Sequence, residues 1–476
     1  MNPDTNHAAP RALRLLAWVP FALAFLLLAL SLVVNHHNGI RHMEANWYFG
    51  HYLDPHSGFL SKIFNVVDSD ASHYFRAREV STLFNYLDTQ LVFWGFAAGF
   101  PHLLSLVHYL ALALLVVAYG FFARTLFGNR GIFLSGLLLL AYLSSPSVFF
   151  TGFYFRTGKT LVALLMVVSA AFLLGLWRTA KDAGPADRRH FVAAGFAFLL
   201  GASLGLLDEI GLAYLGVITG FLALQLIVQR PPRLRASWIG LVAALAFVFL
   251  YRSWLGPMIV RHFVAGDQSL WTVGGGAKLR LAQLIPNLDA LRLFLSYFGM
   301  MLGNLPPVPA LAAVGLACAV FVKGSPWDIA AASPLVRWSA RLSAPAAQAA
   351  MAIAAILVIL QLMALQHKAI LWEDVIRIYY AVPFGAVFLL GLSAALAALL
   401  ADPRVPAWPL AALLSLALCL NLVALPGHRT VIAQGHLSNT HHKLEFLKRE
   451  YAQYRAAHPD QSALEAFNAA IRVPER

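Results

Sequence analysis

The sequence predicts an all-α polytopic membrane protein with about eleven transmembrane helices, and three observations favour that fold class. Of the 476 residues, 60% are hydrophobic and only 12% are charged. Apolar runs recur along the chain at lengths close to the roughly 20 residues that cross the hydrocarbon core of a bilayer. Within lipid the backbone must satisfy its own hydrogen bonds, so each of these runs is expected to be a helix.

The first predicted span ends at Val34 and is longer than the apolar core of a signal peptide. It is followed directly by His36 and His37, so we expect it to remain uncleaved. Residues 91–100 are predicted to form a helix that lies along the membrane interface. The remaining spans are predicted at residues 103–123, 131–149, 160–177, 191–207, 212–228, 238–254, 308–322, 349–365, 378–400 and 408–425.

The distribution of positive charge predicts the orientation of these spans. The net charge is +13, and lysines and arginines concentrate in alternate connections between spans. Under the positive-inside rule those connections are cytoplasmic, which places the N-terminus in the cytoplasm and the C-terminal tail in the periplasm of a bacterial inner (plasma) membrane. The basic charge is therefore a topology signal, and no nucleic-acid partner is expected.

This topology divides the chain into four parts. Residues 1–34 hold the cytoplasmic N-terminus and the first span, and residues 35–102 form a large first outer loop with interfacial helices. Residues 103–425 form the transmembrane helical bundle, with a further outer loop at 256–307. Residues 426–476 form a polar tail, in which apolar residues at helical spacing predict a helix within 441–457.

The first outer loop holds the strongest catalytic candidates, Asp68 and Asp70, with Glu79 a short distance further on. An acidic pair ahead of an amphipathic, interface-seeking helix is suited to act as a general base or to hold a divalent cation. The alternative is that Asp70 is only the N-cap of the helix that follows it. The many histidines of this loop show no zinc-binding spacing, so a divalent cation on the carboxylates is the one metal we consider.

Three short polar stretches at the outer ends of other spans hold the remaining candidates. Arg156 and Lys159 lie in a predicted turn between the third and fourth spans, where they either snorkel to headgroups or bind a lipid phosphate. Asp208 and Glu209 lie in a tight turn between the fifth and sixth spans, which is either a solvated turn or part of a site. Arg377 is either a membrane anchor or a group that stabilises a leaving phosphate.

This order of parts resembles the GT-C superfamily of membrane glycosyltransferases, and within it the bacterial relatives of protein O-mannosyltransferases and aminoarabinose transferases. Asp68 or Asp70 matches the position of the catalytic Asp that the family carries in its large first outer loop. Arg156 stands in a context like the family's Arg-containing turn. The stretch from Arg377 to Pro383 is similar to the family's Arg-Tyr-x-x-x-Pro-like start of a late span.

The resemblance covers the order of parts across most of the chain, and the chain is divergent at two places. The family often has an Asp where this chain has Gly158 and Lys159. It often has a Lys-Gly pair where this chain has Asp208 and Glu209. The electrostatics at these two places are therefore reversed relative to the family.

The resemblance implies a glycosyltransferase that moves a sugar from a polyprenyl-phosphate donor to a lipid, glycan or protein acceptor on the outer face of the membrane. Besides the sugar donor, the partners it implies are membrane lipids and an acceptor of unknown identity. The alternatives are a non-enzymatic membrane assembly protein, a lipid or polysaccharide transporter, and a polysaccharide ligase. The implied roles are catalytic for Asp68 and Asp70, phosphate-binding for Arg156, Lys159 and Arg377, and supporting for the acidic residues Glu79, Asp208 and Glu209.

Overall fold

The structure is a computed structural model in which the described residues are predominantly helical. It describes residues 15–38, 40–41, 48–64, 77–100, 105–128, 131–154, 157–179, 188–229, 232–260, 262, 381–401, 407–433, 441–442 and 444–473. In chain order the elements are α1 (Val19–Asn38), β1 (Ile40–Arg41), α2 (Phe59–Phe64), α3 (Glu79–Ala97), α4 (Leu106–Phe127), α5 (Ile132–Ser144), α6 (Pro146–Phe149), a 3₁₀ turn (Thr151–Tyr154), α7 (Thr157–Thr179), α8 (Arg188–Leu207), α9 (Glu209–Gln229), α10 (Pro232–Leu250), a π-helical turn (Tyr251–Leu255), α11 (Gly256–Ile259), α12 (Ala381–Ala401), α13 (Ala407–Ala433), β2 (His441–His442), α14 (Leu444–Ala457) and α15 (Ala463–Arg472).

Five helices within the described ranges are long and apolar enough to cross a bilayer, namely α4, α7, α8, α13 and the continuous helix formed by α10, the π-helical turn and α11. Helices α1, α5, α9 and α12 contain shorter apolar stretches. Every predicted span that falls on described residues coincides with one of these helices. The total of about eleven spans stays a prediction, because 308–322 and 349–365 lie outside the described residues.

Helices α8 and α10 pack closely through small residues. A Cβ added to Gly201 on α8 would lie 2.8 Å from the Cβ of Ala244 on α10. A Cβ added to Gly240 on α10 would collide with the carbonyl oxygen of Ala194 on α8. Small residues at such crossings let two helix backbones approach closely, which is how helices commonly associate within a membrane.

The consecutive helices bring several of their ends together at one end of the bundle. Asn35, near the end of α1, donates hydrogen bonds from Nδ2 to the hydroxyl of Tyr109 at 2.9 Å and to the carbonyl oxygen of Phe149 at 2.6 Å. Tyr109 lies in the first turn of α4, and Phe149 ends α6. The end of α1, the beginning of α4 and the segment after α5 therefore lie side by side, as the predicted alternation of spans requires.

Helix α3 buries its polar face and exposes an apolar one. Asn85, Asp88 and Thr89 are buried against the bundle, whereas Leu87 and Trp94 are exposed. This polarity is opposite to that of a helix on a water-soluble protein, and it suits a helix whose outer side contacts lipid. The helix begins at Glu79 with Arg78 at its N-cap, so the alternative that Asp70 caps it is wrong.

The C-terminal tail docks against residues 40–41, 48–53 and 92–96. Strand β2 pairs with β1 in an antiparallel bridge. Phe467 of α15 packs edge-on against Phe49, Phe93 and Phe96, with ring centroids 5.0–5.8 Å apart. The helix predicted within 441–457 is therefore present as α14, except that His441 and His442 form a strand rather than part of that helix.

Candidate functional site

A cluster of charged side chains lies where four separate parts of the chain meet. Arg78 and Glu79 come from the beginning of α3, and Lys159 comes from the first turn of α7. Asp208 and Glu209 come from the junction of α8 and α9, and Tyr251 and Arg252 come from the π-helical turn after α10. We call these seven residues the charged cluster. A π-helical turn within an α-helix often occurs at a functional site.

The first turn of α7 organises the surroundings of this cluster. Each of its four residues meets a different side chain: Thr157 Oγ1 bonds to Asp88, and Thr160 Oγ1 lies 2.7 Å from His108 Nδ1. Lys159 Nζ reaches Asp208, and a Cβ added to Gly158 would collide with the hydroxyl of Ser81. The sequence predicted a turn between the spans 131–149 and 160–177. That prediction is wrong for residues 157–159, which already belong to the helix.

Lys159 and Asp208 form a buried ion pair, with 2.7 Å between Nζ and Oδ2. Asp208 also caps α9, because its Oδ1 accepts a hydrogen bond from the backbone N–H of Ile210 at 3.1 Å. Burial acts to raise the pKa of Asp208, but the Lys159 ammonium and the Arg78 guanidinium outweigh it and hold that pKa below its usual range. Asp208 is therefore ionised, and the alternatives of a snorkelling Lys159 and a solvated Asp208 are both wrong.

Two arginines converge on Glu209 at the more exposed side of the cluster. Arg78 Nη2 lies 3.7 Å and Arg252 Nη2 lies 3.9 Å from Glu209 Oε1. Both distances exceed that of a hydrogen bond, so these are looser pairs than Lys159–Asp208. All three side chains are partly exposed. Among the described residues the cluster therefore has a tight inner pair, Lys159–Asp208, and a looser, more exposed outer group, in which Arg78 also lies 3.8 Å from Asp208 Oδ2.

Glu79 lies beside the outer group and is partly buried. Its carboxylate accepts a hydrogen bond from the hydroxyl of Tyr251, and within the described part of the chain its Oε2 has no hydrogen-bond partner. Burial raises the pKa of Glu79 to about 7, although Tyr251 and Arg252 act to lower it. At neutral pH this carboxyl can therefore take up or release a proton.

The structure brings together four of the residues that the sequence predicted as site residues: Glu79, Lys159, Asp208 and Glu209. It adds three that sequence reasoning missed as site residues, namely Arg78, Tyr251 and Arg252. Arg252 carries a detectable signal, since a positive charge at the predicted outer end of a span departs from the positive-inside distribution. The other predicted site residues, Asp68, Asp70, Arg156 and Arg377, lie outside the described residues.

Among the residues that the structure describes, no three His, Cys, Asp or Glu side chains form a group that could hold a metal ion. The possibility of a divalent cation on Asp68 and Asp70 concerns residues beyond that part of the chain. The charged cluster can bind an anion through its arginines, and it holds one carboxyl that titrates near neutral pH.

The fold and the site define a helical protein whose described part has five helices suited to cross a membrane, with a charged cluster at the junction of several helix ends. Comparison with models of protein families, with curated proteins and with solved structures found no match for this chain.

Proposed function

We propose that this chain is a membrane glycosyltransferase that moves a sugar from a polyprenyl-phosphate donor to an acceptor hydroxyl at the outer face of the bacterial inner membrane. The observation that carries the proposal is the convergence of Arg78 and Arg252 on Glu209, beside the buried Lys159–Asp208 pair. Guanidinium groups offer planar arrays of donors that match phosphate oxygens. Held in a partly desolvated site, they stabilise negative charge more strongly than they do in water.

In the proposed reaction, the acceptor hydroxyl gives its proton to Asp68 or Asp70 while its oxygen attacks the anomeric carbon of the sugar. The bond between that carbon and the phosphate oxygen breaks, and polyprenyl phosphate leaves with the bonding electron pair. Arg78 and Arg252 stabilise the charge that develops on the leaving phosphate. By its resemblance to the GT-C superfamily, the transfer is expected to invert the configuration of the sugar.

The two layers of the cluster suggest different roles for its cations. Lys159 is already neutralised by Asp208 at 2.7 Å, so it supports the site more than it contacts the phosphate. Glu209 occupies the space toward which both arginines point, at 3.7 and 3.9 Å. A bound phosphate competes with this carboxylate for the same two guanidinium groups. Glu209 therefore limits the affinity for the released polyprenyl phosphate.

Binding of polyprenyl phosphate tests the role of the arginines. In lipid nanodiscs, Glu209→Gln is expected to bind this lipid about fivefold more tightly, because about 1 kcal/mol of competition is removed. Arg252→Gln is expected to bind it about tenfold more weakly. Glu445→Gln makes the same charge change on the surface of α14 and should leave affinity unchanged. Weaker binding by Glu209→Gln would contradict the proposed clamp.

Transfer activity tests the proposed base. With a labelled polyprenyl-phosphate sugar and membrane extract as the source of acceptor, Asp68→Asn or Asp70→Asn is expected to lower the rate about hundredfold or more. Asp460→Asn, in the turn between α14 and α15, is the matched control and should keep full activity. Full activity in both Asp68→Asn and Asp70→Asn would refute the base assignment and leave the lipid-binding result to stand alone.

A further inference from the structure

Asp88 is a fully buried carboxyl group that lies where α3 meets α4 and α7, and its side chain is 0% exposed. The hydroxyl of Thr157 donates a hydrogen bond to its Oδ2 at 2.6 Å. The backbone N–H of Val107 lies at 3.4 Å from its Oδ1, which is a long and weak contact. Asp88 plays no part in the charged cluster or in the proposed transfer reaction.

Asn85 supplies a second buried oxygen beside this carboxyl group. It is only 9% exposed, and within the described ranges its Oδ1 has no hydrogen-bond donor. Side chains three residues apart on a helix are neighbours on one face, so Asn85 and Asp88 lie next to each other on the buried face of α3. If Asp88 were ionised, an amide oxygen and a carboxylate would lie on one buried face with few donors among the described residues, and each unpaired acceptor there costs about 1–3 kcal/mol.

We propose that Asp88 is a proton-binding site, in which the protonated carboxyl group donates a hydrogen bond from Oδ1 to Asn85 Oδ1. One proton then satisfies both acceptors, while Oδ2 continues to accept the hydroxyl proton of Thr157. The result is a neutral hydrogen-bonded junction between α3 and α7. The inference depends only on the packing of these helices, and it stands or falls separately from the proposed glycosyl transfer.

The electrostatic surroundings agree with a bound proton. Burial raises the pKa of Asp88 to about 7, against the lowering effects of Thr157 and the Val107 N–H. Among the described residues no cation contributes to this pKa. The nearby titratable groups on α4 and α7 are His108, held by Thr160, and Lys159, whose ammonium is bound to Asp208.

Within the part of the chain that the structure describes, the other elements that pack on α3 bring no charge to Asp88. On α2, Lys62 lies near His51 and Asp54, and on α15, Glu465 caps its own helix through Ser462 while Arg472 is exposed. At the beginning of α3 itself, Arg78 and Glu79 belong to the charged cluster. The junction of α8 and α9 contributes Asp208, which is paired with Lys159.

Because this proton lies beside the first turn of α7, a change in pH is expected to affect the packing of that turn. Thr157 and Lys159 are two residues apart in that turn, so the hydrogen bond to Asp88 and the ion pair with Asp208 share one short piece of backbone. Loss of the proton places a negative charge in an enclosed space at the α3–α7 crossing. We therefore expect ionisation of Asp88 to loosen that crossing and to lower the stability of the whole fold.

The test compares thermal unfolding of the purified protein in detergent micelles between about pH 5 and about pH 8. Because Glu79 titrates in the same range, both proteins carry Glu79→Gln, and one also carries Asp88→Asn. The folded state holds a proton on Asp88 that the unfolded state releases. The melting temperature of the protein that carries Glu79→Gln alone should therefore fall as pH rises to about 7. The amide introduced by Asp88→Asn would carry its own N–H donor toward Asn85, so the second protein should lose this slope while still folding.

Two results would overturn the proposal. One is an equal pH slope in the two proteins, and the other is the absence of a protonated carboxylic acid band at acidic pH in a direct measurement. That measurement is infrared spectroscopy of the natural chain labelled with ¹³C-aspartate, which does not depend on any variant folding. A protonated carboxylic acid band that disappears as pH rises through about 7 is the expected result. The absence of that band at about pH 6 would show that Asp88 is ionised.

Discussion

Removing the Asp208 carboxylate while leaving Lys159 in place is expected to destabilise the folded protein by about 3–5 kcal/mol. The two charges are 2.7 Å apart, and their side chains are only 8% and 6% exposed. At that distance two unit charges attract by about 6 kcal/mol at an effective dielectric constant of about 20. Desolvation offsets much of that attraction in the intact pair, but an ammonium that loses this partner keeps the desolvation cost and loses the attraction to Asp208.

The substitutions are chosen so that little else changes. Asp208→Asn keeps an N-cap for α9, since asparagine caps helices about as well as aspartate. Lys159→Met keeps the length and much of the volume of the side chain. The double variant removes both charges together and is expected to recover most of the loss, since a buried pair replaced as a unit is often nearly neutral in stability.

The assay is reversible unfolding by sodium dodecyl sulfate in mixed micelles, followed by tryptophan fluorescence, on the two single variants and the double variant. The cycle yields the coupling energy between the two side chains. Lys448 and Glu445 on α14 provide a control at a similar separation of 2.8 Å but with side chains 30% and 76% exposed. Their coupling should stay below about 0.5 kcal/mol. If the Lys159–Asp208 cycle is additive to within about 0.5 kcal/mol, the pair is not the buried unit described above.

Three further predictions concern packing. Gly158→Ala should lower stability by about 1–3 kcal/mol in the same unfolding assay, because the new Cβ would collide with Ser81, and Ser81→Gly in the same chain should restore stability. Gly175→Ala is the control and should have a much smaller effect, because there is open space beside Gly175. Gly240→Ala should lie at the upper end of about 1–3 kcal/mol, because its Cβ meets a backbone oxygen that cannot rotate away; an equal effect of Gly216→Ala would refute the close α8–α10 crossing. Phe467→Ala should weaken the docking of the C-terminal helices by about 3–5 kcal/mol, seen as lost hydrogen-exchange protection in α14 and α15 while the spans stay protected. Val473→Ala, at an exposed position, should not have this effect.

The helices were largely predictable because the bilayer imposes a simple rule. A run of apolar residues near 20 in length must be a helix, so the predicted spans on described residues coincide with observed ones. Short polar stretches lack such a rule. Residues 157–159 were predicted as part of a turn, but burial of this first turn against Asp88, His108 and Asp208 lets the helix begin at Thr157.

The composition of the candidate site was only partly predictable. Glu79, Lys159, Asp208 and Glu209 stood out as charges among apolar residues. Arg78 and Arg252 were missed because their role depends on which helix ends meet, and hydropathy does not specify the neighbours of a helix. Which face of α3 is buried could not be predicted either. The spacing of Leu83 and Leu87, four residues apart, predicts an apolar face but does not show whether lipid or protein covers it.

The ion pair also changes how the two predicted charge reversals are understood. The proposed relation to the GT-C superfamily treats Lys159 and Asp208 as two separate departures from the family's pattern. Their 2.7 Å contact shows that the two side chains form one ion pair, in which each charge offsets the other.

The bridge between β1 and β2 has a consequence for how the protein is made. Ile40 and Arg41 pair with His442 and His441, so a segment that leaves the ribosome early must wait for one that leaves it late. Until the late segment has been made, the aromatic side chains that receive Phe467 stay uncovered. Chaperones can be expected to bind this surface, and a stalled ribosome that withholds the last helices should leave it open to proteases.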